Sequence, residues 1–263
     1  MPTILMLGAG RLGGALLSGW GAIGPVSMSD VLIRDPRPGP EALRAVEAGA
    51  RLDPDDRALS TASIVLLAVK PQVWRGVVEA VEPHLAPGAV IVSVVAGVAA
   101  ADLERAFGGR AVARVMPTIA VAAGQGTATI YAATAKARDR AHDLFDNLAT
   151  TVDIEDEALM HAATAVSGSG PAYLYAFIEA LEAAAVRNGL PADAAALLAE
   201  STVLGAASLL SMSDATPGEL REQVTSPGGT TAAGLEVLTG GGALQDLLAE
   251  TVGAAARRSR ELG

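Results

Sequence analysis

The densest run of reactive groups in this chain is Ser226-Pro227-Gly228-Gly229-Thr230-Thr231, preceded by Val224-Thr225 and followed by Ala232-Ala233-Gly234-Leu235. Hydroxyls and glycines alternate there in a turn that opens a helix. The free N–H groups and positive dipole end of a helix start form a site for a small anion. Glycines let the backbone approach such a ligand closely, and Ser226, Thr230 and Thr231 can donate or accept. The same residues also make a plain glycine-rich cap, so local chemistry leaves both readings open.

A second glycine turn lies at the other end of the chain. Gly8-Ala9-Gly10-Arg11-Leu12-Gly13 follows an apolar run and opens a helical stretch, the setting a dinucleotide fingerprint requires. The first glycine makes the turn, the second admits a pyrophosphate, and the third lets helix and strand pack. The next apolar run ends in Ile33-Arg34-Asp35-Pro36-Arg37. Asp35 can accept from a ribose 2′-hydroxyl, whereas Arg34 or Arg37 can pair with a 2′-phosphate. These signals conflict over NADPH against NADH. Ala68-Val69-Lys70-Pro71 ends the third strand, at the edge of the sheet where open α/β folds bind ligands. Lys70 and Lys136 are the only lysines. Ala96-Gly97, after the next strand, offers backbone to a nicotinamide.

The elements that position these turns follow from periodicity. Apolar runs at 4–7, 31–34, 64–69, 90–95 and 111–115 read as strands, and 15–20, 41–48 and 73–81 as helices. That alternation predicts βαβ units and a parallel, doubly wound sheet. The runs 127–131 and 151–154 add candidate edge strands. After about Glu155 only helical patterns remain, at 171–188, 191–212, 230–238 and 243–262, with Thr216-Pro217-Gly218-Glu219 spaced as a capping box. The expected organisation is a dinucleotide-binding domain over 1–155 and a helical domain over 156–263.

Composition narrows the function classes. At 263 residues the chain is long enough for two domains. It has no cysteine, which excludes disulfides, thiolate catalysis and Cys-bound metal. A formal charge of −10 opposes nucleic-acid binding, which needs a basic surface. No uninterrupted apolar run of about twenty residues occurs, so no membrane span is expected. The first residues lack the basic region of a signal peptide, and a cytoplasmic protein is the expectation.

What the second half lacks is also informative. The only histidines are His84, His142 and His161, each in a setting that suits a surface or interface role, and no lysine follows Lys136. No His/Asp/Glu cluster has metal-ligand spacing. Alcohol oxidation usually needs a base to take the hydroxyl proton. Reduction of a cyclic imine asks for less, because a protonated C=N is already electrophilic. It needs a fixed approach, an anchor for a carboxylate and a hydroxyl near nitrogen. Ser167-Gly168-Ser169-Gly170-Pro171 adds a third hydroxyl-and-glycine segment, readable also as a helix cap by Ser169.

Taken together, Leu220-Arg221, Val224 through Leu235, Ala68-Val69-Lys70-Pro71-Gln72, Ser167 through Tyr173, and Arg257-Arg258-Ser259-Arg260-Glu261-Leu262 resemble the pyrroline-5-carboxylate reductase family over essentially the whole chain. The resemblance implies a Rossmann domain followed by an all-α domain through which subunits dimerise, alone or as rings of dimers. It implies NADPH-preferring reduction of 1-pyrroline-5-carboxylate to L-proline, the last step of proline biosynthesis. The backbone at Gly228, Gly229 and Thr230, with Ser226, would hold the substrate carboxylate, and Thr231 would set its hydroxyl beside the ring nitrogen. Asp214 stands where the family has a glutamate near that nitrogen. Gly8 to Gly13, Arg34, Ala68 to Pro71 and Ala96 would line the cofactor. Departures are Arg11-Leu12 in place of Asn-Met, Thr118 in place of Asn after Met116-Pro117, and Asp35-Pro36 in place of a hydroxyl–arginine pair. Two other readings compete: a β-hydroxyacid dehydrogenase, which uses a lysine that this helical part lacks, and a sensor that binds NAD(P) without turnover.

Overall fold

The computed structural model describes residues 3–24 and 26–261. Eight strands form one sheet: β1 (Ile4–Leu7), β2 (Val31–Arg34), β3 (Arg51–Leu52), β4 (Ile64–Leu67), β5 (Val90–Ser93), β6 (Val112–Pro117), β7 (Gly126–Ala132) and β8 (Ala149–Asp153). Their order is β3-β2-β1-β4-β5-β6-β7-β8. Every residue of β1, β4 and β5 is buried, which is why these strands read as unbroken apolar runs rather than alternating ones. Pairing is parallel from β3 through β6. It turns antiparallel at β7, and β8 then runs parallel to β7. A short connection without a crossover helix joins β6 to β7, and only an antiparallel pair can be closed that way.

Helices α1 (Arg11–Ile23), α2 (Pro40–Glu47), α3 (Asp56–Leu59), α4 (Trp74–Val81), α5 (Ala100–Ala106) and α6 (Ala135–Phe145) supply the crossovers. Side chains alternate across each strand. Ile4, Met6, Ile33, Ile64 and Leu66 therefore join Leu16, Trp20 and Phe145 in one core. Leu5, Leu7, Val65 and Leu67 join Val78, Leu103 and Phe107 in the other. Trp20 satisfies its buried ring N–H by donating to the Leu144 carbonyl at 2.9 Å.

Beyond the sheet come α7 (Met160–Ala163), α8 (Gly170–Arg187), α9 (Ala192–Ser211), α10 (Pro217–Gln223), α11 (Thr230–Thr239) and α12 (Ala243–Glu261). Strand character does stop near residue 155, but the first compact unit continues to Gly168 and takes back the chain from Ala255. The cause is packing: Met160 and Ala165 are buried, and the segment 160–168 contacts β6 and β7. Sequence periodicity marks a change of element type; it does not mark where contacts end. Strands β4 and β5 also stop before the residues expected to close them, Val69 and Val95, which fall in the loops that follow.

The second unit, Ser169–Ala254, is a set of helices in which α8 packs on α9. Within α9 only Ala195 and Ala199 are buried. By length and composition alone α9 is apolar enough to cross a membrane, with Asp193 and Glu200 interrupting its apolar run.

Candidate active site

The parallel register aligns Leu7 with Arg34 and Leu67, and Leu67 with Ser93. The loops leaving β1, β2, β4 and β5 therefore emerge side by side, and the strand order reverses between β1 and β4. Such a switch point is where open α/β sheets hold ligands.

The glycine turn is built as a dinucleotide requires. Gly8 has φ +90°, and its N–H donates to the Arg34 carbonyl at 2.9 Å. A Cβ there would come within 2.8 Å of the Ala68 carbonyl oxygen and of Val69. A Cβ on Gly13 would come within 2.5 Å of the Gly8 carbonyl oxygen, so helix and strand pack through that glycine. Gly10 is exposed, with nothing within 4 Å of a Cβ position. The first intrahelical-type bond of α1 is Gly14 N–H to the Gly10 carbonyl. The N–H groups of Arg11, Leu12 and Gly13 have no backbone acceptor among the described residues, and they point the helix dipole at open space. Crowded glycines at the first and third positions and an open one at the second fit a pyrophosphate.

Asp35 does something the sequence did not suggest. Its carboxylate accepts from Ala9 N–H at 2.6 Å and from Arg37 N–H at 2.8 Å. The candidate ribose acceptor is thus also the tie between β2 and the glycine turn. Arg34 donates to the Pro54 carbonyl at 2.9 Å and pairs with Asp56 at 3.0 Å. Both bonds run from its Nη2, so the loop after β3 holds the guanidinium through one nitrogen. Arg37 is exposed and its guanidinium has no partner among the described residues. Lys70 and Pro71 are exposed at the tip of the β4 loop, with Ala68 and Val69 half-buried below them. Ala96 is exposed next to Gly97, whose φ is +75°.

In the helical unit the hydroxyl turn closes through Gly229 N–H to the Ser226 carbonyl at 3.0 Å, with Gly228 at φ +69°. A Cβ at 229 would meet the Ser226 hydroxyl oxygen, which would have to turn away, and would come within 3.1 Å of the Ser226 carbonyl oxygen. The next backbone bond inward is Ala233 N–H to the Gly229 carbonyl. Thr230, Thr231 and Ala232 therefore keep N–H groups without a backbone acceptor, at the exposed start of a ten-residue helix. One short turn thus holds these amides beside the Ser226, Thr230 and Thr231 hydroxyls, with no acidic side chain between Ser226 and Leu235. Asp214 is exposed in the bend between α9 and α10. The capping box forms: Thr216 N–H donates to Glu219 at 2.7 Å, and Glu219 N–H to the Thr216 hydroxyl at 3.3 Å. Thr216 N–H, together with the Thr216 hydroxyl that donates to the carboxylate at 2.8 Å, holds the Glu219 carboxyl below its ordinary range.

Ser169 makes no side-chain cap on α8. The preceding segment, Thr164–Gly168, is instead a π-helical turn, a widening frequent at functional sites. No periodicity signals such a turn, because it adds one residue to an otherwise helical pattern. Among the described residues no group of three or more His, Asp and Glu could hold a metal.

Comparison with known proteins adds the family context. Residues 157–262 match the family described as pyrroline-5-carboxylate reductase dimerisation, and residues 3–97 match NADP oxidoreductase, coenzyme F420-dependent. The chain is 37% identical to a pyrroline-5-carboxylate reductase of Pisum sativum, over 99% of this chain and 96% of that one. A pyrroline-5-carboxylate reductase structure from Coxiella burnetii superposes with a TM-score of 0.91 at 28% identity, covering 100% of this chain and 98% of the other. One from Plasmodium falciparum, with NADP bound, gives 0.81 at 25% identity, covering 100% and 98%.

Proposed function

The chain belongs to the pyrroline-5-carboxylate reductase family, and from that premise we propose that it reduces 1-pyrroline-5-carboxylate to L-proline with NADPH. The observation that carries the reading is the turn Ser226–Thr231. Its unclaimed amides suit a carboxylate, its hydroxyls suit a ring nitrogen, and it contains no base, which an imine does not need. The bound nicotinamide supplies the hydride. The chain's own part is placement: Thr230, Thr231 and Ala232 N–H groups with Ser226 fix the carboxylate, and the Thr231 hydroxyl keeps the imine proton on nitrogen while the neighbouring carbon receives hydride. Asp214 adds negative charge for that cationic nitrogen.

The cofactor side rests on Gly8, Ala9, Gly10, Arg11, Leu12 and Gly13 for the pyrophosphate, and on Ala68 to Pro71 and Ala96 for the sugar and nicotinamide. Arg37, rather than Arg34, takes the 2′-phosphate, since its guanidinium is unspent. We assign dinucleotide binding to residues 1–155 and substrate binding with dimerisation to 156–263, in a cytoplasmic homodimer or an assembly of dimers. The exposed apolar side chains of α9 meet their copies there rather than a bilayer.

The test mixes purified protein with 1-pyrroline-5-carboxylate and follows reduced-nicotinamide absorbance, with NADPH and NADH in parallel. Substrate-dependent oxidation is expected, with Thr231→Ala slower by about a hundredfold or more and little changed in cofactor affinity. Arg37→Ala should weaken NADPH selectively, by about 1.5–3 kcal/mol for a charged hydrogen bond, and Arg34→Ala should not discriminate. Folded protein that binds NADPH but never turns over would replace this reading with that of a nucleotide sensor.

A further inference from the structure

A cavity of about 310 Å³ opens in the first unit, lined by Gly97, Ala99, Asp102, Arg114, Glu157, His161 and Arg260. About ten water volumes would fill it, which is room for a small metabolite. Its groups come from four directions in sequence: the start of α5, strand β6, the turn before α7 together with α7 itself, and the last turn of α12.

The ion pairing in this cavity is unequal. Glu157 accepts from Arg114 Nη1 at 2.6 Å and from Ala100 N–H at 2.7 Å, so its charge is met by a guanidinium and a helix start. Asp102 pairs with Arg105. Both carboxylates are therefore answered. On the cationic side Arg114, 5% exposed, spends only Nη1. Arg260 has no hydrogen-bond or ionic partner among the described residues. His161 Nδ1 meets the Ser259 hydroxyl at 3.0 Å, and its Nε2 is unspent. The single buried side-chain polar atom lacking a partner among the described residues is the Tyr173 hydroxyl. The remaining Arg114 nitrogens therefore reach the cavity rather than being sealed in protein. With Asp102 held by Arg105 and Glu157 by Arg114, the Arg260 charge is left unpaired among the described residues, and donors converge from three residues.

We propose that this cavity is a second ligand site, taking a small anion that carries a carboxylate or phosphate group. A planar guanidinium held rigid by Glu157, with a second one free to swing onto the same group, is an arrangement that recognises such oxyanions. The site has a built-in proton sensitivity. Burial, with Arg114 and Arg260 nearby, holds the His161 imidazole below its ordinary range, while Glu157 opposes this. Asp102 on α5 is the remaining charged group lining the cavity. A bound anion offsets the two guanidinium charges, so His161 gains its proton more easily and becomes a further donor. Gly97 links this site to the cofactor edge, since it follows Ala96 in the same loop.

The experiment uses the whole protein with labelled histidine and follows the three imidazole resonances by NMR while inorganic phosphate, and separately succinate, is added in an anion-poor buffer. His84 and His142 serve as internal references. The His161 signal should move saturably with at least one of the two probes, its titration should shift to higher pH, and the other two signals should stay. The probe that saturates at lower concentration names the ligand class. Arg260→Ala, at an exposed position that leaves the fold intact, should raise the half-saturating concentration about tenfold, and Arg260→Lys should recover part of it. The proposal is overturned if neither probe saturates, if all three histidines move together as ionic strength rises, or if Arg260→Ala changes nothing. None of these readouts requires turnover or a bound nicotinamide.

Discussion

The carboxylate of Asp35 accepts the backbone N–H of Ala9 at 2.6 Å, so the end of β2 is bolted to the glycine turn that follows β1. The same carboxylate holds Arg37 N–H at 2.8 Å, which positions the residue proposed above to take the 2′-phosphate. Replacing Asp35 by Ala frees both amides at once. The expected loss is about 1–2 kcal/mol in dinucleotide affinity, as befits charged hydrogen bonds partly open to water. NADH binding should suffer along with NADPH, because the turn itself loosens. Calorimetric titration of both cofactors checks this. A variant that loses NADH alone would mean that Asp35 acts only on the ribose.

Gly10 and Gly13 lie in one turn yet should fail in opposite ways. An added methyl at Gly13 meets the Gly8 carbonyl oxygen, a backbone atom that cannot swing aside. Gly13→Ala should therefore cost about 1–3 kcal/mol of folding stability through overpacking. At Gly10 a methyl meets nothing, and the backbone there already has negative φ. Gly10→Ala should melt within about 0.5 kcal/mol of the parent while binding dinucleotide poorly, since the methyl occupies the space left for the pyrophosphate. Thermal melts with and without NADPH separate the two variants.

The sequence made the sheet and both glycine turns legible because each depends on local rules. An apolar run followed by Gly-x-Gly-x-x-Gly dictates strand, turn and helix whatever lies elsewhere, and Thr216 and Glu219 cap each other across three residues. Features set by distant partners were not legible. The commitment of Arg34 to Pro54 and Asp56 depends on how the loop after β3 folds back. The bond from Asp35 to Ala9 spans two strands. Arg114, Glu157 and Arg260 meet in a cavity although β6, a short turn and the last helix are far apart in sequence. The end of the first compact unit at Gly168 was hidden for the same reason, since Met160 and Ala165 look like any other helical apolar residues until β6 and β7 are set against them.

His142 bridges two carboxylates, with Nδ1 2.7 Å from Asp146 and Nε2 3.2 Å from Asp153. The Asp146 hydrogen bond raises its pKa above the ordinary 6.5; burial opposes that, and Asp153 reinforces it. A folded-state value above the unfolded one gives stability that is fully present below the unfolded pKa and is lost as pH rises through the folded one. The parent protein should therefore lose stability relative to His142→Gln on going from about pH 6 to about pH 8. Urea midpoints of the pair at both pH values test it. Parallel curves would show that the bridge is equally strong with a neutral imidazole.

Leu197 and Leu204 stand seven residues apart on α9, so they share one stripe of the helix, at 68% and 70% exposure. Around them Leu198, Leu209 and Leu210 are also exposed, and Val237 of α11 reaches 83%. Burying one such leucine contributes about 1.5–3 kcal/mol, and exposed apolar side chains gathered along one helix suit an interface. Placing a carboxylate inside that stripe imposes a desolvation cost that mating leucines cannot offset. Leu204→Glu should therefore run as a monomer in light scattering where the parent runs as a dimer or a multiple of one. Its dinucleotide affinity should be retained, because the glycine turn lies in the other compact unit. A parent chain that is itself monodisperse and monomeric without detergent would refute the pairing of α9 faces. Association of the parent with lipid vesicles, abolished by the same substitution, would assign the stripe to a bilayer instead.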